Sequence, residues 1–365
     1  MPPLHVAVDV APLHGHRTGV GVATAGIVDA LGRRDDVTLA PYLVSFRARP
    51  VPPERRLPLP AGLAVRAWAR GDVPRVDRWL RDASVVHGTN YVAPPSRLPT
   101  VVSVYDCWFL AHPDDASNSV RRAARVLRRA VRRGAWIHVS SRATAEVAAE
   151  LLGTDRIRVV HLGPPTVDTR LLDPEAPAFL DGHPFLLAIG TTERRKDIPS
   201  LVRAFARLDQ GSRDLRLVIA GAPGDHHDQV LDTVAGLDHA VRQRVHVTGT
   251  VDAATKHALL AHAEALVYPS LDEGFGFPVL EAQAAGTAVV ACRVGSIPEV
   301  AGLGAELVEP ASIEALTTGI GRVLDDTSHR HALVTAGRDN LRRFSWQRCA
   351  DGLVDLYREA IEDQP

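Results

Sequence analysis

The stretch Glu273-Gly-Phe-Gly-Phe-Pro-Val-Leu-Glu281 decides the fold of the second half of this chain. An apolar run ends at Tyr268 just before it, and a helical pattern over residues 282–286 follows it. We therefore predict a strand, a glycine-rich loop and a helix, in that order. Gly274 and Gly276 let the backbone approach a ligand closely, and free amides at a helix start attract a diphosphate. The stretch predicts an anion-binding turn of a parallel α/β sheet.

A second cluster with the same setting is Gly190-Thr-Thr-Glu-Arg-Arg-Lys196. It follows the apolar run 185–189, and ligands of open parallel sheets bind beyond the carboxyl ends of strands. Arg195 and Lys196 are therefore candidates to neutralise the charge on a departing diphosphate. Taken alone, the cluster is equally consistent with a solvated basic loop. Taken alone, Glu281 is consistent with a carboxylate that complements the helix dipole.

Short apolar runs alternate with helical patterns in both halves, which is typical of parallel sheets covered by helices. The predicted strands are 4–10, 84–87, 100–104, 136–139, 185–189, 215–220, 245–247, 265–268 and 288–291. A helix is predicted after Asp197, because its apolar residues recur on one face. Those residues are Leu201, Ala204, Phe205 and Leu208. Residues 49–60 are proline-rich and are predicted to form a surface loop.

The length of 365 residues suits two domains better than one ordinary core. With 45% apolar and 23% charged residues, both domains are expected to be globular. We predict a first domain over 1–175, a second over 183–345 and a helix over 346–365. The linker is placed at 173–184, which is rich in proline and glycine.

Composition excludes several classes of protein. The net charge of -1 gives no reason to expect nucleic acid as a partner. The three cysteines are widely separated and lack metal-ligand spacing, so we predict reduced thiols. No apolar run reaches the ~18 residues of a spanning helix, and no signal-peptide pattern is present. We therefore expect a cytoplasmic protein.

The two clusters together resemble the retaining glycosyltransferases of family 4, which have the GT-B fold. The matching patterns are Gly-x-x-Glu-x-Arg-Lys and Pro-Ser-x-x-Glu-Gly-Phe-Gly-x-Pro-x-Leu-Glu, with Pro298-Glu299-Val300 downstream. The first half carries further landmarks of the family. These are Gly19-Val-Gly21, His87-Gly-Thr-Asn90 followed by Pro94-Pro95, Val139-Ser-Ser141 and Val159-Val-His-Leu-Gly163. The resemblance implies two Rossmann-like doubly wound parallel-sheet domains facing a cleft, with the last helix crossing back to the first domain.

The resemblance also implies roles for particular residues. Glu273 would face the transferred sugar, Glu281 would bind the nucleotide ribose, and Arg195 with Lys196 would hold the diphosphate. Gly19 and Gly21 would belong to a glycine loop that closes under the donor phosphates. The remaining donor-binding candidates are Thr191, Gly274, Phe275, Gly276, Phe277 and Leu280. The resemblance implies that the chain needs no cofactor and no divalent metal besides its nucleotide-sugar substrate, and no Asp-x-Asp motif occurs in a donor-binding context.

One departure from the family is Tyr105-Asp106, where relatives often have His-Asp. Asp106 is the candidate to accept or orient the incoming hydroxyl, although an aspartate here can also simply cap a loop. Tyrosine is a poor base near pH 7. Tyr105 therefore also supports an alternative, a catalytically silent homologue that binds a nucleotide sugar.

The resemblance leaves the substrates open. The donor would be GDP-mannose or a UDP-sugar, and the acceptor a saccharide, a lipid-linked sugar or a small molecule. A nucleotide-sugar epimerase of related fold is a second alternative. A dinucleotide oxidoreductase is disfavoured, because Gly19-Val-Gly21 lacks a good third glycine and a ribose-binding acid about 20 residues on.

Residues 121–133 form a basic segment at helical spacing. It has seven arginines and no acidic residue: Arg121, Arg122, Arg125, Arg128, Arg129, Arg132 and Arg133. Val126, Leu127 and Ala130 share its other side. This pattern fits a peripheral helix on an anionic inner membrane surface, a solvated basic face, or a site for an anionic acceptor.

Overall fold

The computed structural model describes residues 3–15, 18–164, 175, 177–208 and 214–364. The chain divides into two compact units. The first comprises Met1–Gly163 with Phe344–Pro365, and the second comprises Pro164–Arg343. The sequence predicts that the first domain ends at residue 175, that the second spans residues 183–345 and that the last helix begins at residue 346. Residues 173, 174 and 176 of the predicted linker lie outside the described residues.

The first unit is built on one parallel sheet. Its strands are β1 (Leu4–Asp9), β2 (Val37–Val44), β3 (Arg55–Leu57), β4 (Val85–Gly88), β5 (Thr100–Val104), β6 (Trp136–Val139) and β7 (Ile157–Val159). Its first five helices are α1 (Gly19–Gly32), α2 (Ala61–Trp68), α3 (Trp108–Ala111), α4 (Asn118–Arg132) and α5 (Arg142–Leu152). The strand order is β3-β2-β1-β4-β5-β6-β7.

The second unit has the same plan with its own sheet. Its strands are β8 (Phe185–Ile189), β9 (Arg216–Ala220), β10 (Val245–Gly249), β11 (Ala265–Tyr268), β12 (Val289–Cys292) and β13 (Glu306–Val308). Its helices are α6 (Ile198–Arg207), α7 (His227–Ala235), α8 (His239–Arg242), α9 (Ala253–His262), α10 (Phe277–Ala285), α11 (Ile297–Ala301), α12 (Ile313–Asp325) and α13 (Thr327–Asn340). The strand order is β10-β9-β8-β11-β12-β13.

Both sheets are entirely parallel and reverse their strand order at one place. The reversal falls between β1 and β4 in the first unit and between β8 and β11 in the second. These two orders confirm the predicted doubly wound α/β fold. In such sheets the crevice at the reversal point receives the ligand.

Four strands were not predicted from the sequence: β2, β3, β7 and β13. The loop prediction for 49–60 was wrong over Arg55–Leu57, which pairs in parallel with β2. β3 is an edge strand, so only one side of its backbone needs partners, and prolines can flank it. β7 and β13 are three residues each and lie at the other sheet edges, where too few apolar residues accumulate to give a pattern.

The last helix, α14 (Trp346–Glu362), packs on the first unit against α1 and the strands β4 to β6. The Trp346 ring lies so close to Gly26 that a Cβ atom there would be 2.3 Å from it. On the same helix, the Tyr357 hydroxyl lies 2.7 Å from His87 Nδ1 in the interior. Packing of an indole on a glycine and a buried hydrogen bond therefore fix α14 to this unit.

Other sequence-based predictions concern the core and the cysteines. The predicted inner face of α6 is buried, with Leu201, Ala204 and Phe205 fully inaccessible. The cysteines Cys107, Cys292 and Cys349 are buried and form no disulfide, as predicted. Among the helices of the described ranges, none combines the length and apolar character needed to cross a bilayer.

Candidate functional site

The two predicted clusters of the second unit come together at the reversal point of its sheet. Gly190-Thr-Thr-Glu-Arg-Arg-Lys196 leaves β8, and the loop before Gly276 leaves the neighbouring strand β11. The Leu271 N–H donates to the Arg195 carbonyl at 2.7 Å, which joins the two segments. The sequence separates these clusters by some 80 residues, and the sheet order brings them together.

Glu273 lies at the centre of this site, and four side chains surround it. Lys196 Nζ donates to its Oε1 and also to the Tyr268 hydroxyl, the latter at 2.6 Å. The Ser270 hydroxyl donates to the same Oε1 at 2.8 Å. Arg195 Nη1 lies 3.2 Å from Oε2. Both carboxylate oxygens are therefore held by cationic or hydroxyl donors.

The electrostatics of this cluster favour the ionised carboxylate. Burial alone would raise the pKa of Glu273, but the adjacent charges of Lys196 and Arg195 outweigh it and lower the pKa to about 2. At neutral pH Lys196 and Arg195 face two carboxylates, because Arg195 Nε also lies 2.9 Å from Glu193 Oε2. The cluster therefore carries no surplus of charge, and it offers an anion two cationic donors in a largely buried place.

Glu281 lies on α10, where its two carboxylate oxygens have different surroundings. Lys256 Nζ of α9 donates to Oε1 at 2.5 Å, whereas Oε2 is buried without a hydrogen-bond partner among the described residues. The chain has only two lysines, and each pairs with one of the two glutamates. The sequence singled out Lys196 but gave Lys256 no role, because 25 residues separate it from Glu281.

The turn between these two glutamates has the predicted form. Gly276 adopts φ 90° as the N-cap of α10, and Pro278 lies at the second helical position. A side chain at Gly276 would meet Ile297, since a Cβ atom would be 2.7 Å from Ile297 Cδ1. Glycine also offers no capping side chain, so the first amides of α10 are left for another acceptor.

The apolar candidates of the turn contribute mainly to packing. Leu280 is fully buried and Phe275 is 5% exposed. Phe275 packs edge-on against Phe277 with 5.2 Å between ring centroids. Phe277 is half-buried, so its ring is the more accessible of the two. Leu280 therefore contacts the core with its side chain.

Thr191 is also half-buried. The residues next to it are held by hydrogen bonds that the sequence did not predict. The Gly224 N–H, from the loop after β9, donates to the hydroxyl of the adjacent Thr192 at 3.0 Å. Asp225 of the same loop accepts a hydrogen bond from the Arg194 N–H at 3.0 Å. These two hydrogen bonds from the loop after β9 thus hold the segment 190–196 in place.

Asp106 lies after β5 in the first unit, and both of its oxygens are engaged. Oδ2 accepts from the Tyr91 hydroxyl at 2.9 Å, and Oδ1 accepts from the Trp108 N–H at the start of α3 at 3.2 Å. Tyr91 has φ 58°, a conformation that is rare and strained for an aromatic residue. Asp106 therefore does cap a helix start, but Tyr91, which the sequence did not single out, also holds it.

Tyr105 is buried at the end of β5, where it packs edge-on against Tyr91 at 6.0 Å between centroids. Burial raises the pKa of its phenol, so it stays protonated at neutral pH. It cannot take the place of a histidine base.

The predicted glycine loop of the first unit is not a loop. Gly19 and Gly21 are the first and third residues of α1, with Thr18 as the N-cap. The glycines and β-branched residues of this segment are weak helix formers, so the burial of its apolar face, including Ala23 and Ile27, holds it helical. The connection from β1 consists of residues 10–18, of which 16 and 17 lie outside the described residues.

His87, in the landmark 87–90, is fully buried in a chain of hydrogen bonds. Val160 contributes a carbonyl, which can only accept, so His138 Nε2 donates to it at 3.0 Å. The Ser103 hydroxyl must then donate to His138 Nδ1 at 2.7 Å and accept from His87 Nε2 at 2.8 Å. The Tyr357 hydroxyl consequently donates to His87 Nδ1. This histidine holds α14 in place.

The basic segment 121–133 is helical, as predicted, over most of its length in α4. Its apolar side, with Val126, Leu127 and Ala130, is buried in the core of the first unit, so it cannot enter a membrane. Arg129 and Arg133 pair with Asp72. The exposed arginines follow one ridge: Arg121, Arg125, Arg128 and Arg132.

Two doubly wound sheets, one with a glycine turn and two ion-paired glutamates at its reversal point, are the architecture of the GT-B class of glycosyltransferase folds. Residues 17–168 match the model of Glycosyltransferase Family 4, and residues 170–340 match that of the Glycosyl transferases group 1. The chain therefore belongs to the group 1 glycosyltransferases of family 4.

Curated relatives include several glycosyltransferases. An MMP alpha-(1->4)-mannosyltransferase of Mycolicibacterium hassiacum is 33% identical over 61% of this chain and 53% of its own length. A D-inositol 3-phosphate glycosyltransferase of Xylanimonas cellulosilytica is 30% identical over 62% of this chain and 57% of its own length. The matches thus span about half the length of these relatives.

Solved structures resemble the whole chain in fold. Sucrose-phosphate synthase from Thermosynechococcus elongatus has a TM-score of 0.77 at 19% identity and covers 99% of this chain and 100% of its own. HepE of Anabaena in complex with UDP-glucose has a TM-score of 0.71 at 15% identity, with 96% of this chain and 98% of its own covered.

Proposed function

We propose that the protein is a retaining glycosyltransferase that moves a sugar from GDP-mannose or a UDP-sugar onto a saccharide, lipid-linked or small-molecule acceptor. One observation carries the proposal. At the reversal point of the second sheet, Glu273 is buried between Lys196 and Arg195, and Glu281 presents a buried oxygen with no partner among the described residues. These groups match the needs of a sugar, a diphosphate and a ribose.

The reaction breaks the bond between the sugar C1 and the diphosphate oxygen and forms a bond between C1 and the acceptor oxygen. Negative charge grows on the leaving diphosphate, and Arg195 and Lys196 would stabilise it. Each hydrogen bond to a charged group is worth about 1.5 to 3 kcal/mol. Glu273, ionised at neutral pH, would face the sugar, whose anomeric carbon becomes positive in the transition state.

The acceptor side is assigned to the first unit. Asp106, fixed by Tyr91 and the Trp108 N–H, would accept a hydrogen bond from the incoming hydroxyl and orient it. The hydroxyl proton leaves as the new bond forms, and the departing phosphate oxygen is a base that can take it. Tyr105 would shape this place without exchanging a proton, because its pKa is raised by burial.

We propose that no divalent metal is needed, because Arg195 and Lys196 would supply the positive charge that a leaving diphosphate requires. An assay with EDTA tests this point. Unchanged turnover after chelation is expected, and turnover that requires added Mg²⁺ or Mn²⁺ would contradict it.

We also propose that the exposed ridge of α4 contacts anionic surfaces through charge alone. Arg121, Arg125, Arg128 and Arg132 recur at offsets of four, seven and eleven, which places them on one face. Co-sedimentation with vesicles containing anionic lipid should show binding at low salt that is lost at high salt and in Arg125→Glu/Arg128→Glu. Absence of binding at low salt would remove the idea.

A panel of nucleotide sugars tests the proposed activity. Thermal shift should reveal the donor, since a ligand at 100 times its dissociation constant stabilises by about 2.7 kcal/mol. Transfer to a panel of acceptors is then followed by NMR, which reports the anomeric configuration of the product. Release of isomerised nucleotide sugar without transfer would favour an epimerase, and binding without turnover would favour a silent homologue.

A further inference from the structure

We infer that Lys256 is a positioning residue that reserves one oxygen of Glu281 for a ribose hydroxyl of the donor. The inference rests on the proposed function and goes beyond it by assigning a task to a residue outside the motifs. The two oxygens of the Glu281 carboxylate have unequal surroundings. Oε1 accepts from the Lys256 ammonium at 2.5 Å, and Oε2 is buried without a partner among the described residues.

A buried carboxylate oxygen without a hydrogen bond is costly, and native proteins leave few of them. A ligand hydroxyl would satisfy it. The Glu281 side chain as a whole is 11% exposed and Oε2 itself is buried, so a ligand hydroxyl that bonds to Oε2 has to displace the groups that cover it. The ammonium holds the carboxylate through Oε1, so Oε2 is already in position before the ligand binds. Less conformational entropy is therefore lost on binding.

The position of Glu281 on α10 suits a ribose. A rise of 1.5 Å per residue places it about 7 Å along the helix from Gly276, where a diphosphate would meet the free amides. A donor bound by its phosphates at the helix start therefore extends its ribose toward the second turn.

Lys256 has a second consequence, which concerns charge. Glu281 alone would repel a dianionic donor at this distance, and the adjacent ammonium offsets that repulsion. The Lys256 side chain is 34% exposed on α9, so it lies at the rim rather than within the reacting centre. Lys256 is expected to affect donor affinity and not the chemical step.

The test compares nucleotides with and without ribose hydroxyls. UDP and GDP are titrated calorimetrically into the wild type, Lys256→Met, Lys256→Arg and the control His257→Ala on the same helix. We expect about tenfold weaker binding by Lys256→Met, which equals about 1.4 kcal/mol, with most of the affinity retained in Lys256→Arg and His257→Ala. The same titrations are then made with the dideoxy nucleotide that lacks both ribose hydroxyls.

With the dideoxy nucleotide, Lys256→Met should weaken binding by about twofold at most, because Glu281 then has no ribose hydroxyl to accept from and only the solvent-screened charge of the ammonium remains. An equal loss with both nucleotides would overturn the inference, because Lys256 would then act on the phosphates or on folding. Unchanged affinity of Lys256→Met for the ribonucleotide would overturn it as well. Binding of neither UDP nor GDP by the wild type would instead contradict the proposed function itself.

Discussion

The ammonium of Lys196 and the carboxylate of Glu273 form a buried ion pair that joins the segments leaving β8 and β11. The pair connects stability and chemistry, because the same cation that neutralises Glu273 is assigned to the leaving diphosphate. Breaking a buried pair costs about 3 to 5 kcal/mol when the remaining charge has no other partner, and the cost is smaller here because Arg195 still pairs with Glu273.

Lys196→Met is expected to slow transfer by more than tenfold, about 1.4 kcal/mol of barrier, and to destabilise the second unit. Adding Glu273→Gln should restore much of the stability, because the buried carboxylate charge that only Arg195 still offsets disappears, but it should not restore transfer. Calorimetric unfolding and the turnover rate measure the two effects. The control is Arg207→Met, an exposed residue of α6. Recovery of transfer in the double variant would contradict the assigned role.

Tyr91→Phe removes the phenol that holds Asp106 and should lower kcat/KM for the acceptor about tenfold while donor affinity stays unchanged. Tyr42→Phe is a matched control in the same unit, because the Tyr42 hydroxyl is buried without a hydrogen-bond partner among the described residues. Steady-state kinetics with varied acceptor measure the effect. A loss of donor affinity in Tyr91→Phe would show that Tyr91 acts on the overall fold instead.

The buried histidines make the first unit sensitive to acid. Burial lowers the pKa of His87 to about 3 and that of His138 to about 4. Unfolding therefore takes up protons below pH 6.5, so stability should fall as pH decreases from 6.5 to 4, by about 1.4 kcal/mol per pH unit for each histidine. Above pH 6.5 this contribution is constant.

His138→Gln isolates this effect, since a glutamine amide can still donate to the Val160 carbonyl and accept from Ser103. All five tryptophans lie in the first unit, so urea unfolding followed by tryptophan fluorescence reports on that unit alone. In the variant, the slope of the unfolding free energy against pH should decrease by the amount that corresponds to about one proton. Parallel curves for the variant and the wild type would refute the assignment.

Gly26→Val tests the docking of α14. A side chain at position 26 would overlap the Trp346 ring, and we expect a loss of about 1 to 3 kcal/mol in the first unit. Gly62→Ala on α2 is the control, because nothing lies within 4 Å of the added atom there. Fluorescence-detected unfolding compares them. Equal stability of Gly26→Val and the wild type would mean that α14 docks less tightly.

The strands at the centre of each sheet could be predicted because they are short, mostly apolar runs buried on both faces. β5, β6, β8 and β11 begin and end as predicted. β2 is interrupted by Pro41 and partly exposed, so its pattern is weak. The short edge strands bury too little for a periodic signal to arise.

The site was predictable as far as its motifs reached. Glu273, Arg195 and Lys196 do meet, because the order of a doubly wound sheet brings the ends of β8 and β11 together. The partners Lys256 and Tyr91 depend on helix packing and on an unusual backbone angle, and neither leaves a pattern in the sequence.

Calorimetric titration of GDP-mannose and UDP-glucose into the wild type and Glu281→Ala measures directly whether Glu273 and Glu281 belong to a nucleotide-sugar site. We expect binding of at least one donor by the wild type and at least about tenfold weaker binding by Glu281→Ala. Failure of the wild type to bind either donor, or equal affinity in the two proteins, would contradict this assignment.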